Sequence, residues 1–195
     1  AQAVGLMVTK PVDAYFPAVG PTHMAQVAGG AFQQGLTPLS MMAAPSFNDA
    51  FVREGFALAP LFTSGSMYLM AFVAPYEAET AGHATMRATF TAMGIDSANT
   101  FLVAGWASQH HLKGVLEAAN KGGDLTRAGI RRAAGSVYVD SDGMMPQREL
   151  GQNRADAESF IAVPDGTIAS GVKLLAGNYV GPSAGGYDWE SGPCS

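Results

Sequence analysis

The chain has 195 residues, with 11 lysines and arginines against 16 aspartates and glutamates, a formal net charge of −5. The basic residues are scattered, Arg131-Arg132 being the one adjacent pair, so the phosphate-neutralising stripe of a nucleic-acid binder is lacking and no nucleic-acid partner is expected. Hydrophobic residues at 48% against charged residues at 14% exclude intrinsic disorder, and the longest apolar run, residues 67–74, is far short of the ~20 residues of a membrane-spanning helix.

Residues 4–8 form a short apolar run that ends at Thr9-Lys10-Pro11, where proline removes a backbone donor, and they predict a strand. No basic segment or small-residue cleavage site precedes it, so the opening is not a secretory signal. A chain that opens within a strand is expected to be a processed product or a piece of something longer. Residues 22–34 change period: Met24, Val27, Ala28, Ala31 and Phe32 share a helical face, with Thr22 placed to cap the start and Gly35 the end. Residues 36–43 predict a second strand, closing at Ala44-Pro45-Ser46-Phe47-Asn48. Strand, helix, strand in this order predicts a parallel βαβ unit with a right-handed crossover, and hence an α/β fold.

Residues 49–57 read as a short helix. Residues 66–74 are continuously apolar, as expected of a strand buried on both faces. Residues 81–93 are helical, stopping at Gly94, and residues 99–120 form the longest helical pattern, with Phe101, Ala104, Ser108, Leu112, Val115 and Ala119 on one stripe. A short helix follows over residues 126–134. Residues 160–163 and 168–175 flank Pro164-Asp165-Gly166, a hairpin signal. From Gly181 the tail is rich in Gly, Ser and Pro and is expected to be loosely held. The single cysteine, Cys194, permits no internal disulfide.

Familiar catalytic signatures are missing. His110 and His111, with Glu117 nearby, do not make a chelating pair, because adjacent helical residues point about 100° apart. Asp140-Ser141-Asp142-Gly143 opens like a calcium loop but lacks its closing glutamate, and reads as a turn. No Gly-x-Gly-x-x-Gly follows a strand, and there is no Walker-type lysine and no Gly-x-Ser-x-Gly elbow. No metal, cofactor or catalytic residue is therefore expected. Ligands of parallel sheets bind at strand C-termini. The two loops expected there carry Thr9 and Lys10 after the first strand, and Ser46 and Phe47 after the second. Lys10 is suited to a ligand carboxylate and Phe47 to an apolar side chain.

The stretch Asn99-Thr100-Phe101-Leu102-Val103-Ala104-Gly105-Trp106, continued by Gly114-Val115-Leu116-Glu117-Ala118-Ala119, Gly123-Asp124-Leu125-Thr126-Arg127 and Asp142-Gly143-Met144-Met145-Pro146, resembles the second half of type I periplasmic binding proteins. More narrowly, it resembles the branched-chain amino-acid-type substrate-binding subunits of ABC transporters. The opening, with a helix ending in Gln33-Gln34-Gly35-Leu36-Thr37-Pro38 before a strand, fits the same pattern. Two features depart from it: Thr126-Arg127-Ala128-Gly129 lacks the glutamate that would complete a capping box, and residues 11–21 are longer and more aromatic than the family's loop.

The resemblance implies two α/β lobes joined by a three-segment hinge and closing on a small ligand, with this chain as the C-terminal half. Residues 1–95 would form the second, parallel-sheet lobe with flanking helices. Residues 96–135 would be a hinge-crossing helical segment of the first lobe, 136–180 the hinge return and terminal strands, and 181–195 the tail. The function implied is non-catalytic: an extracytoplasmic, periplasmic solute-binding protein that captures an amino acid or a small carboxylate or amide and hands it to the membrane permease of an ABC importer. Membrane tethering would come through a lipoprotein signal outside these residues. The alternatives are a ligand-sensing regulatory domain of the same fold and an α/β enzyme without a recognised motif.

Overall fold

The computed structural model describes residues 2–146, 148–149 and 158–184. The first element is a helix, α1 (Gln2–Thr9), where residues 4–8 predict a strand. A short apolar run fits either period, and here it serves a helix–helix contact instead of a sheet. Val4 lies over Gly30 of the next helix, where an added Cβ would come within 3.1 Å of Val4 Cγ2. The first strand is β1 (Ala14–Tyr15), inside the segment read from sequence as a loop. Helix α2 (Pro21–Gln33) starts with proline at its first turn and ends before Gly35, whose φ of +74° is the left-handed stop that glycine supplies. It buries Met24, Ala28 and Ala31 but leaves Phe32 exposed.

Strand β2 (Leu39–Ala43) follows, then two 3₁₀ turns at Ala44–Ser46 and Asp49–Val52, the short helix α3 (Ala59–Phe62) and β3 (Met67–Ala71). Helix α4 (Ala81–Ala92) is capped by the Thr80 side chain, and α5 (Thr100–Lys121) by Asn99, whose side-chain oxygen accepts from the N–H groups of Phe101 and Leu102. Helix α6 (Arg127–Ala134), β4 (Tyr138–Val139), β5 (Arg148–Glu149), β6 (Glu158–Pro164) and β7 (Val172–Val180) complete the described chain. The tail beyond residue 184, with Cys194, lies outside the described residues.

The main sheet has the order β1-β2-β3-β6-β7, with β4 and β5 as a separate ladder. β1, β2 and β3 are parallel, Ala14 and Tyr15 opposing Leu39 and Ser40, and Ser40 opposing Met67. β6 and β7 add antiparallel as the predicted hairpin. The fold is α/β with a mixed, partly parallel sheet. The βαβ unit exists, but its first strand is 14–15 rather than 4–8.

The described residues bury three clusters, the smallest of Ala44, Ala71, Ala74 and Phe160, and the two larger ones lie apart. One lies under a single face of the sheet, where Met24 and Ala28 of α2 meet Met42, Met67, Leu69 and Ala162 together with Phe47, Phe51 and Phe62. The other joins Val73 and Tyr76, beyond β3, to Met86 and Phe90 of α4 and Val103 and Ala107 of α5, with Met144 and Met145. Helix α5 buries Val103, Ala107, Val115 and Ala119, so of the predicted stripe Val115 and Ala119 are buried, whereas Phe101 in the first turn and Leu112 in the middle are exposed. Partner geometry sets this phase: Trp106 meets Phe90 edge-on at 5.6 Å, which turns Phe101 outward. β3 likewise buries Met67, Leu69 and Ala71 but leaves Met70 48% exposed, against the expectation of burial on both faces.

Candidate functional site

Three loops leave the C-terminal ends of β1, β2 and β3. The first two are tied together by Ser46. Its buried hydroxyl accepts the Val19 N–H at 3.1 Å and donates to the Pro17 carbonyl at 3.3 Å, while the Ala43 N–H donates to the same carbonyl at 3.0 Å. The hydroxyl is thus committed to holding the β1 loop beside the β2 loop. Phe16, on the first of these loops, is 74% exposed.

Phe47 is buried, its ring edge-on to Phe51 at 6.0 Å, and Phe51 in turn stacks on Phe56 at 5.3 Å. Asn48 caps the following 3₁₀ turn through the Ala50 N–H. Phe47, Asn48 and Asp49 face Asn99, Thr100, Phe101 and Ser170 across a crease too tight to hold a water molecule. The start of α5 is therefore brought to the C-terminal end of the parallel strands, where its positive dipole end adds to the field.

The turn between β6 and β7 forms the far wall and is gripped from two sides. Arg53 donates to the carbonyls of Ile168, at 3.3 Å, and Ala169, and also meets Asp49 at 3.4 Å. The Glu77 carboxylate accepts both the N–H and the hydroxyl of Ser170. Asp165 accepts the N–H and hydroxyl of Thr167, and these bonds hold its carboxyl below the usual range.

Thr9 and Lys10 are not brought to this place. Thr9 ends α1, its hydroxyl donating to the carbonyls of Gly5 and Leu6, and Lys10 is exposed just beyond. Both precede β1, so they stand at the N-terminal end of the parallel strands, whereas Ser46 and Phe47 follow β2 at the C-terminal end. The expectation that all four line one wall fails with the strand assignment of residues 4–8 that placed them there. A hollow of about 270 Å³ does lie near Lys10, between Met7, Pro11, Asp13 and Leu36.

Sequence reasoning missed Arg53, Glu77, Asn99 and Phe101 as builders of the crease. Asn99 was findable, since an Asn directly before a long apolar-periodic run is an N-cap signal. Arg53 and Glu77 act across the tertiary fold and leave no local trace.

No protein-family model matches the chain, and no curated protein shows significant sequence similarity to it. Solved structures do match. The fatty acid ABC transporter substrate-binding protein from Thermomonospora curvata superposes with a TM-score of 0.81 at 20% identity, over 95% of this chain and 48% of that one. An ABC transporter substrate-binding protein from Aeropyrum pernix gives 0.67 at 14% identity, over 93% of this chain and 48% of its own. The fold is half that of such a protein. The likeness agrees with the resemblance read from the sequence at the level of the fold, and the chain spans about half the length of either structure. Among the described residues no helix is long and apolar enough to cross a membrane, and no three His, Cys, Asp or Glu side chains cluster as metal ligands would.

Proposed function

We propose that the chain is the ligand-receiving half of an extracytoplasmic solute-binding protein that serves an ABC importer without catalysis. The observation that carries this reading is the 0.81 superposition on such a protein over 95% of the chain. The ligand would be held at the C-terminal ends of β1 and β2, between this half and a facing lobe. Closure would follow from the ligand's greater affinity for the closed state. On the resemblance, residues 96–135 would belong to the facing lobe, and the exposed apolar side of α5 supports that division.

The ligand would be a small carboxylate carrying an apolar group, a class that spans apolar amino acids and fatty acids. Phe101, exposed at the crease, and Phe16, exposed on the loop after β1, supply apolar wall, and Asn48, Asn99 and Thr100 at the crease supply polar contacts. The named function of the Thermomonospora curvata structure, fatty acid binding, supports the apolar side of this class. Lys10, at the opposite end of the strands, is left outside the site. The test is a thermal-shift screen of the protein as its gene encodes it, against apolar and polar amino acids, short and long fatty acids, and neutral amides. A ligand that binds only the folded state raises the melting temperature. A rise confined to apolar carboxylates is the expected result, and no rise with any of them would overturn the reading.

A further inference from the structure

Basic charge gathers around helix α6. Arg53 and Arg87 are committed elsewhere, the first to the Ile168 and Ala169 carbonyls and Asp49, the second to the Tyr76 and Ala78 carbonyls and Glu79. Lys113 pairs with Glu117. Lys121, at the end of α5, and Arg127 and Arg131 of α6 pair with no acid among the described residues, and Arg132 meets Asp124. All three arginines are exposed, with Ala128 exposed between them, while the other side of the helix is buried at Gly129 against Asp124.

Helix energetics alone do not ask for this arrangement. Arg131 and Arg132 suit the C-terminal end of α6, but Arg127 opens the helix, where the positive end of the dipole disfavours a cation and no acid stands in the first turn. Arg127 and Arg131 are also an i, i+4 pair of like charge, which destabilises an isolated helix. The distribution over the whole chain is equally uneven. Residues 121–138 hold four cations against Asp124, a net +3, within a chain of net −5, so the remainder carries −8. A molecule polarised in this way turns its basic end toward an anionic surface and is repelled along the rest of its own, which fixes its orientation. Leu125, before the helix, and Tyr138, after it, are 56% and 58% exposed. Arginines flanked by an apolar and a tyrosine side chain suit the boundary of a bilayer, where stem and ring lie among the acyl chains and the charge meets headgroup phosphate.

We propose that the exposed face of α6 docks on a membrane surface rich in anionic lipid, with Arg127, Arg131 and Arg132 on headgroup phosphates and Lys121 beside them. The contact is independent of the ligand site at the crease. Each basic side chain near such a surface raises the partition about fivefold, so the binding is reversible and sensitive to salt. The test is flotation of the gene-encoded protein with vesicles of phosphatidylcholine alone and with about 40% phosphatidylglycerol, at about 50 mM and about 500 mM salt. The expected result is at least about tenfold more binding to the anionic vesicles at low salt, and no such excess at high salt. Arg127→Glu with Arg131→Glu should remove the preference, and Lys10→Glu with Lys173→Glu, which changes the net charge equally, should keep it. Circular dichroism checks that each pair is folded, and Arg127→Gln with Arg131→Gln, a milder change in the same direction, serves if the glutamate pair is not. Equal binding to the two vesicle types, or a preference lost equally in the lysine pair, would overturn the proposal. Arginine-dependent binding to polyglutamate or duplex DNA without a preference for anionic vesicles would overturn it too, and would assign the face to an acidic protein or a nucleic acid.

Discussion

Glu77 holds Ser170 with both carboxylate oxygens: one accepts the backbone N–H at 2.9 Å and the other accepts the hydroxyl at 2.5 Å. The contact ties the segment after β3 to the turn of the terminal hairpin and so sets the height of the wall beside Phe47 and Phe101. Glu77→Ala removes the acceptor of the Ser170 N–H and leaves the hydroxyl with its 3.4 Å bond to the Val172 carbonyl, and is expected to cost about 1–3 kcal/mol, read as a lower urea midpoint at unchanged slope. Glu77→Gln, which keeps one acceptor, should recover part of the loss. Equal stability of all three proteins would show that the grip contributes nothing.

His83 is fully buried, its Nδ1 2.8 Å from the Thr80 hydroxyl and its Nε2 3.2 Å from the Ala74 carbonyl. Burial is the main cause that holds its pKa below 6.5, with the Ala74 bond opposing and the Arg87 charge adding to it. The unfolded chain then binds a proton that the folded one refuses, so stability is full above the unfolded value of about 6.5 and declines as pH falls below it toward the folded pKa. Urea midpoints between pH 7.5 and 5 should fall in the native protein and stay flatter in His83→Gln. Parallel curves would remove His83 as the cause.

Two glycines should respond to alanine with opposite signs. At Gly82 a Cβ would come within 2.5 Å of Met144 Cγ and 2.8 Å of the Ser141 carbonyl oxygen, so Gly82→Ala should destabilise by about 1–3 kcal/mol through overpacking. Gly105 sits on α5 with nothing within 4 Å of the built Cβ, so Gly105→Ala should stabilise by roughly 0.5–1 kcal/mol through helix propensity. Thermal or urea unfolding of the two variants checks the pair.

Phe101 and Leu112 stand exposed along α5, with Leu102 and Leu116 beside them. Residues 1–195 expressed alone are expected to associate through this stripe, and Leu112→Glu should shift the sedimentation profile toward monomer. In the gene-encoded protein Phe101→Ala should leave stability nearly unchanged, the ring being half in solvent, and weaken ligand binding by about tenfold, the loss expected when one aromatic wall is removed from a pocket. An unaltered melting-temperature rise with ligand would take Phe101 out of the site.

The sequence by itself determined the α/β class, helices α2, α4, α5 and α6, the strands β2 and β3 and the terminal hairpin, because each of these rests on a local period or a local stop. Gly35 and Gly94, with φ of +74° and +75°, end helices where the chain says they must. Residues 4–8 were not legible in the same way: a five-residue apolar run satisfies a strand and a helix alike, and contact with Gly30 decided for the helix. That one choice moved Thr9 and Lys10 to the far end of the sheet and left Ser46 and Phe47 without them. The walls of the crease were hidden for a different reason. Glu77 and Ser170 are 93 residues apart, and Arg53 and Ile168 are 115 apart, so neither contact leaves a spacing to read. Which side of α5 is buried depended on where Phe90 met Trp106. Helical periodicity supplies a stripe, but only the neighbouring element fixes its phase.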